Sequence, residues 1–348
     1  MFKIREEFRR DGLAAHPQLC GEHYKHLVET FSGARFNIGY PSISKGQKAK
    51  CLDIIEQCYG TEEMCVTGVA SRESLDILIS TLNDYTRFTS ANIWIPSSER
   101  LSKRLLGCDL ESIKIQLKEL IAYWSSQLSS VPIDLALVDS ISDEVGWIEN
   151  STNIASFALQ IGFRSVILCN SLGTNFDPEK VIEITSKVKQ FGECELHIHA
   201  DSFEENKVRE LALACKVDFV GTSLARASER GTLPDSISFH SQPNLDSLDD
   251  FLKSYERDFG NIYSRVSSIF CKEKISSGAQ YLLQDSPSKN LLFSICSDRR
   301  IVEKMINIRL SSHQLSKLKD ILFSINSMNY YMNDAELLRA YERFKALL

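Results

Sequence analysis

Eight times along this chain a short apolar run gives way to a segment with helical spacing, and that alternation limits the folds open to it more than any other feature. The runs are FKIREEFRR near the N-terminus, ARFNIGYPS (Ala34 to Ser42), EMCVTGVA (Glu63 to Ala70), ANIWIPSS (Ala91 to Ser98), IDLALVDS (Ile133 to Ser140), SVILCNSLG (Ser165 to Gly173), CELHIHADS (Cys194 to Ser202) and DFVGTSLA (Asp218 to Ala225). Between them lie patterns such as DPEKVIEITSKVKQF, whose acidic, proline-bearing start suits a helix N-terminus. Strands separated by helices pair in parallel, and eight such units over about 240 residues fit a closed (β/α)8 TIM barrel. An open doubly wound sheet is the alternative, but no G-x-G-x-x-G follows the first strand.

Beyond Leu245 the alternation stops. LDSLDDFLKSYERDFGNIYSRVSSIF and RRIVEKMINIRLSSHQLSKLKDILFSIN carry helical periodicity, with SSGAQYLLQDSPSKN reading as a loop between them. The chain therefore divides into a barrel over residues 1–245 and a mainly helical extension over 246–348. Hydrophobic content of 43% and charged content of 25% in 348 residues are those of a soluble globular protein. The net charge of -6 argues against nucleic acid or an anionic membrane as partner. No apolar run approaches the roughly 20 residues of a membrane helix, and MFKIREEFRR lacks the apolar core of a signal peptide. Ten cysteines without C-x-x-C spacing suit free thiols in a reducing compartment, so a cytoplasmic location is expected.

His197 and His199 stand two residues apart, so on a strand they share one face. The spacing fits two readings: a half-buried strand with two hydrogen-bonded histidines, or two imidazoles sharing a metal ion. The barrel places both at the C-terminal end of the seventh strand, the end at which such folds gather their ligand sites.

FRRDG near the N-terminus, HIHAD on the seventh strand and SERGTLP after the eighth occur in the order found in the pyruvate-carboxyltransferase-like barrels, the DRE-TIM metallolyases, which the chain resembles. SICSDRRIVEKMINIRLSSHQLSKLKDIL and MNDAELLRAYERF look like the C-terminal subdomains of that family's 2-isopropylmalate, homocitrate and citramalate synthases. The resemblance implies a divalent ion (zinc, manganese or magnesium) on Asp11, His197 and His199. Arg10 would steady enolate charge on the substrate. It implies a Claisen condensation of acetyl-CoA, or a similar acyl-CoA, with a 2-oxo acid, in a homodimer whose extension lids the neighbouring site.

The family pattern is broken at several functional positions. Asn37 stands where the second strand normally ends in glutamate, and it keeps the size and hydrogen bonding but not the charge. Arg100 falls near the histidine of the fourth strand. Val138, Asp139 and Ser140 replace E-D-A, and Asn170, Ser171, Leu172 and Gly173 replace D-T-x-G. Ala200 stands for the asparagine of H-x-H-N-D. Ser228, Glu229, Arg230, Gly231 and Thr232 run one residue short and lack a metal-supporting asparagine, which implies weaker metal binding. Arg10, Asn37 and Glu229 are the catalytic candidates. Arg10, Arg100, Asp139 and Ser171 are the substrate-binding ones, with Arg100 suited to an extra acidic group. Two alternatives stand beside the synthase: a metal-dependent aldolase or lyase of the same family, and a non-catalytic homologue acting as a partner subunit. His23, His26 and His313 read as surface side chains, and Trp94 and Trp147 as packing ones.

Overall fold

Strands β1 (Lys3–Glu6), β2 (Arg35–Asn37), β3 (Glu63–Val69), β4 (Thr89–Pro96), β5 (Ile133–Val138), β6 (Ser165–Asn170), β7 (Glu193–Ile198) and β8 (Phe219–Thr222) pair in parallel in chain order, and β8 closes on β1. The TIM barrel expected from the alternation is the fold of this computed structural model. The structure describes residues 2–11, 18–142, 146–171, 176–199, 205–228, 233–262, 293, 297, 299–325 and 332–348. Strands such as β5 (IDLALV) and β6 (SVILCN) are buried along their whole length, as parallel strands covered on both faces must be.

Helices α1 (Phe8–Asp11), α2 (Gly21–Thr30), α3 (Lys45–Cys58), α4 (Arg72–Leu82), α5 (Glu99–Leu105), α6 (Leu110–Gln127), α7 (Trp147–Ile161), α8 (Pro178–Val188) and α9 (Glu205–Cys215) lie between the strands. Ser44, Ser71, Ser98, Asp109 and Asp177 each accept a first-turn N–H at a helix start; such a cap is worth about 1 kcal/mol. The Ser98 cap sets Arg100 in the first turn of α5, directly after β4. The apolar core lies between strands and helices, where Phe36, Ile93, Leu135 and Leu168 meet Tyr24, Ile54, Leu117 and Ile154.

Toward the N-terminal ends of the strands the chain buries ion pairs. Arg5 donates to Glu195 at 2.7 and 2.8 Å and to Asp134 at 2.7 Å. Arg35 donates to Glu195 at 2.8 Å, and Arg164 bridges Asp134 and Glu63. The strand period of two puts Glu195, His197 and His199 on one face of the β7 end. One strand therefore carries a structural anion at its base and two imidazoles at its tip.

Helices α10 (Ser236–Phe239) and α11 (Leu245–Phe259) follow the barrel. The Asn244 N–H donates to the Thr30 carbonyl, which ties the start of α11 to the end of α2. Phe251 and Tyr255 then pack on Phe8, inside the barrel's own core. The packing of α11 on α2 also corrects the expectation for His23. Its ring is 4% exposed, covered by Phe259 with centroids 5.1 Å apart.

Helices α12 (Arg299–Ile306), α13 (Ser312–Ile325) and α14 (Asp334–Phe344) enclose a second apolar core of Val302, Ile306, Leu318, Leu322 and Leu337. Phe293 and Met332 exchange two backbone hydrogen bonds beside it. This core reaches the barrel at Tyr40 and Ile43, and Asp320 accepts the Gly46 N–H at 3.0 Å in the first turn of α3. No helix among the described residues is long and apolar enough to cross a membrane.

Candidate metal centre

Strand β1 ends at Glu6, four residues before the arginine that the sequence places at a strand end. Glu6 accepts the Phe8 N–H and the chain turns into the single helical turn of α1, with the Asp11 N–H bonded to the Glu7 carbonyl. That turn brings Asp11 to the tip of β7. Asp11 Oδ2 lies 3.3 Å from His197 Nε2 and 3.8 Å from His199 Nε2, and the two ring nitrogens are 3.2 Å apart. All three residues are buried, and among the described residues no other trio of histidine, cysteine or carboxylate is placed to hold a metal. Three donors each about 2.1 Å from one ion, at angles of 90–109°, would stand about 3.0–3.4 Å apart. Two edges of the triangle fall in that range, and the third is longer by a few tenths of an ångström. One carboxylate and two imidazoles therefore fit a divalent ion chemically and in size.

A hydroxyl stands behind the carboxylate and one of the imidazoles. Ser228 Oγ lies 3.3 Å from Asp11 Oδ2 and 3.0 Å from His199 Nδ1. The hydroxyl donates to the carboxylate and accepts from the ring, which puts the His199 proton on Nδ1 and leaves Nε2 to face the centre. His197 is held differently. Its ring lies against Gly221 of β8, where a Cβ would stand 2.6 Å from Nδ1. The sequence names Ser228 within the altered motif after β8 but gives it no role, and Gly221 did not stand out at all. Each acts on a histidine of the neighbouring strand, and no local motif records that.

Arg10 pairs with Asp11 Oδ1, donates to the Tyr40 hydroxyl at 3.0 Å and lies 3.9 Å from Glu7. Burial alone would raise the Asp11 carboxyl. Arg10, then His197 and His199, hold it well below the usual carboxylate range. Burial pushes the neighbouring Glu7 carboxyl up to about 8, against the pull of Arg10.

The remaining candidates fall into separate groups. Arg100, Asp139 and Ser171 meet at the ends of β4, β5 and β6. Asp139 is fully buried, its N–H donates to Ser171 Oγ at 3.0 Å, and Arg100 Nη2 approaches its carboxylate to 3.7 Å. The Asp139 backbone is left-handed, φ 62°, a conformation that costs a non-glycine residue roughly 1–3 kcal/mol and collects at functional sites. Asn37 is fully buried and accepts from Thr67 Oγ1 at 2.8 Å, in a pair of its own. Glu229, the third catalytic candidate, lies outside the described residues, as do Gly12, Leu172 and Ala200.

No family model matches the chain, and no curated protein matches it in sequence. Solved structures do share its fold. Hydroxymethylglutaryl-CoA lyase from Pseudomonas aeruginosa superposes with a TM-score of 0.59 at 12% identity, over 76% of this chain and 96% of that one. An HMG-CoA lyase from Acinetobacter baumannii, in complex with coenzyme A and 3-methylmalate, gives 0.52 at 13% identity over 83% and 93%. The N-terminal domain of a putative aldolase from Bacteroides vulgatus gives 0.52 at 11% identity over 78% and 95%.

Proposed function

We propose that the chain is a member of the metallolyase family it resembles and is a divalent-metal-dependent enzyme that cleaves a carbon–carbon bond in a small hydroxy acid or its coenzyme A thioester. The observation that carries this reading is the buried Asp11–His197–His199 triangle beside Arg10. The fold neighbours favour cleavage over the condensation suggested by the C-terminal resemblance, since HMG-CoA lyases stand among them. One of these binds coenzyme A together with a branched hydroxy diacid, which is the class of ligand assigned here.

Asp11, His197 and His199 would hold the ion. Two imidazoles in the set favour zinc over manganese or magnesium, which prefer oxygen ligands. When bound, the ion supplies Lewis-acid polarisation of the substrate oxygen. Arg10 presents a guanidinium fork to the enolate oxygen that develops as the bond breaks. Tyr40 and Glu7 fix the plane of that fork, so it needs little reorganisation at the moment of reaction. Arg100, at the opposite strand ends, pairs with an acidic group on the substrate, while Asp139 and Ser171 set the floor beneath it. Glu229 stays a candidate for proton handling, and Asn37 for holding the substrate through its amide.

The test has two stages. Elemental analysis of the purified wild type should find a near-stoichiometric divalent metal that His197→Ala/His199→Ala lacks. The metal-loaded protein is then offered 3-hydroxy acids and their coenzyme A thioesters, and separately acetyl-CoA with a panel of 2-oxo acids. Release of a carbonyl product from the first set supports the lyase. Thiol release with a 2-oxo acid would restore the condensing reading. A protein that takes up no ion, or is loaded and inert in both sets, would be a non-catalytic homologue.

A further inference from the structure

On the outer ring of the barrel, Cys20, His23 and Asp258 form a thiol–imidazole–carboxylate relay. Cys20 is the cap residue of α2, and its Sγ lies 3.0 Å from His23 Nδ1. The other ring nitrogen, Nε2, lies 2.8 Å from Asp258 Oδ2 near the end of α11. Sulfur and carboxylate contact opposite sides of the imidazole, so they cannot chelate one ion. The arrangement instead fixes a tautomer, with Nε2–H donating to Asp258 and the Nδ1 lone pair turned to the thiol.

The ring cannot swing away, because it is 4% exposed and covered by Phe259. Arg257 donates to Asp258 at 2.8 and 2.9 Å. Those bonds, and then that from His23, hold the carboxyl well below its usual range, so an anion always faces the ring. Asp258 itself is 34% exposed.

The other thiols of the chain provide the contrast. Of the eight described cysteines, six are buried, and Cys20 and Cys108 are half-buried. Burial pushes Cys51 up to about 11 and Cys58 and Cys65 to about 12. Burial and the Asp109 carboxylate raise the Cys108 thiol. The Cys20 sulfur, by contrast, lies against an imidazole nitrogen.

We infer that Cys20 is a thiol–disulfide exchange site for low-molecular-weight disulfides. Cys20 Sγ attacks one sulfur of the disulfide as its proton passes to His23 Nδ1. The S–S bond breaks and the departing sulfur takes that proton. Cys20 is oxidised to a mixed disulfide, and the other half of the disulfide is reduced to one free thiol. Asp258 steadies the imidazolium between the two transfers, as a carboxylate does for a base with a fixed tautomer.

The 348-residue chain, treated with oxidised glutathione and followed by intact mass and peptide mapping, tests the assignment. Cys20 should form the mixed disulfide at least about tenfold faster than Cys108, a modest share of what a positioned base supplies. His23→Gln should bring the Cys20 rate down to that of Cys108 and leave Cys108 unchanged. Asp258→Asn, a substitution that keeps the size of a half-exposed side chain, should slow Cys20 by a smaller factor. It serves as the deciding variant if His23→Gln exposes the buried thiols. Equal rates at Cys20 and Cys108, or a Cys20 rate that neither substitution slows, would overturn the inference.

Discussion

Asp11 divides its two oxygens between two tasks: Oδ1 takes the Arg10 guanidinium, and Oδ2 faces the histidines with Ser228 behind it. A carboxylate used on both sides is sensitive to whatever orients it. Ser228→Ala should therefore lower metal affinity by roughly 10–100-fold, the usual effect of deleting a group behind a ligand, and titration of the metal-free protein with zinc would measure it. Gly221→Ala should do at least as much by a different route. The added Cβ would meet His197 Nδ1 at 2.6 Å and force the ring out of the triangle. Its spectroscopic signature would be a changed cobalt spectrum if the site still loads. The three candidate ligands could be picked out from sequence, because H-x-H and R-D-G are local patterns with fixed chemistry. The contacts of Ser228, Gly221 and Tyr40 could not. They act across gaps of 24 to 30 positions that only the strand register brings together, as with Arg10 and Tyr40 at a separation of 30.

Among elements, the alternation of strands and helices was legible because a period of two and a period of 3.6 leave different marks on apolar spacing. The turn α1 was not. Its four residues follow a strand without a break in polarity, and the cause is a side chain, Glu6, accepting the Phe8 N–H. The link between the C-terminal helices and the site was likewise hidden. Tyr40 packs its ring against the second core while its hydroxyl receives Arg10. Tyr40→Phe should keep the metal and the fold but lower kcat more than it raises KM, with an overall loss of about tenfold, near 1.4 kcal/mol, for one hydrogen bond to a charged group. Steady-state kinetics on the substrate found by the screen would show that split. A loss confined to KM would mean that Tyr40 only contacts substrate.

For the molecule as a whole, pH separates two sets of buried carboxyls. Burial alone would raise Asp134 and Glu63, but Arg5, Arg164 and Arg35 hold Asp134, and Arg164 and Arg35 hold Glu63, below their usual values. Their contribution is present above the ordinary carboxylate range and is lost as pH falls through the folded values. Glu6 is opposite in sign. Burial lifts it from 4.5 to about 8, against the donors Leu224 and Phe8. Its contribution is complete below 4.5 and is lost as pH rises through about 8. Melting temperature should therefore peak at about pH 4–5 and fall toward pH 8, and Glu6→Gln should flatten the alkaline side of the curve. Asp134→Asn should cost about 3–5 kcal/mol near neutrality, since Arg5 and Arg164 would keep their charge without their shared partner. Chemical denaturation would measure that loss.

The Arg5 cluster also has a consequence for how the protein is made. Arg5 emerges from the ribosome well before its counter-charges, which lie 129 and 190 positions downstream. Until both have been synthesised, burying this guanidinium carries a desolvation penalty that nothing offsets, so a nascent half-barrel is discouraged from collapsing around it. Assembly is thereby delayed until β7 is available, close to the point at which β8 can seal the ring, and the first strand waits in water for the last.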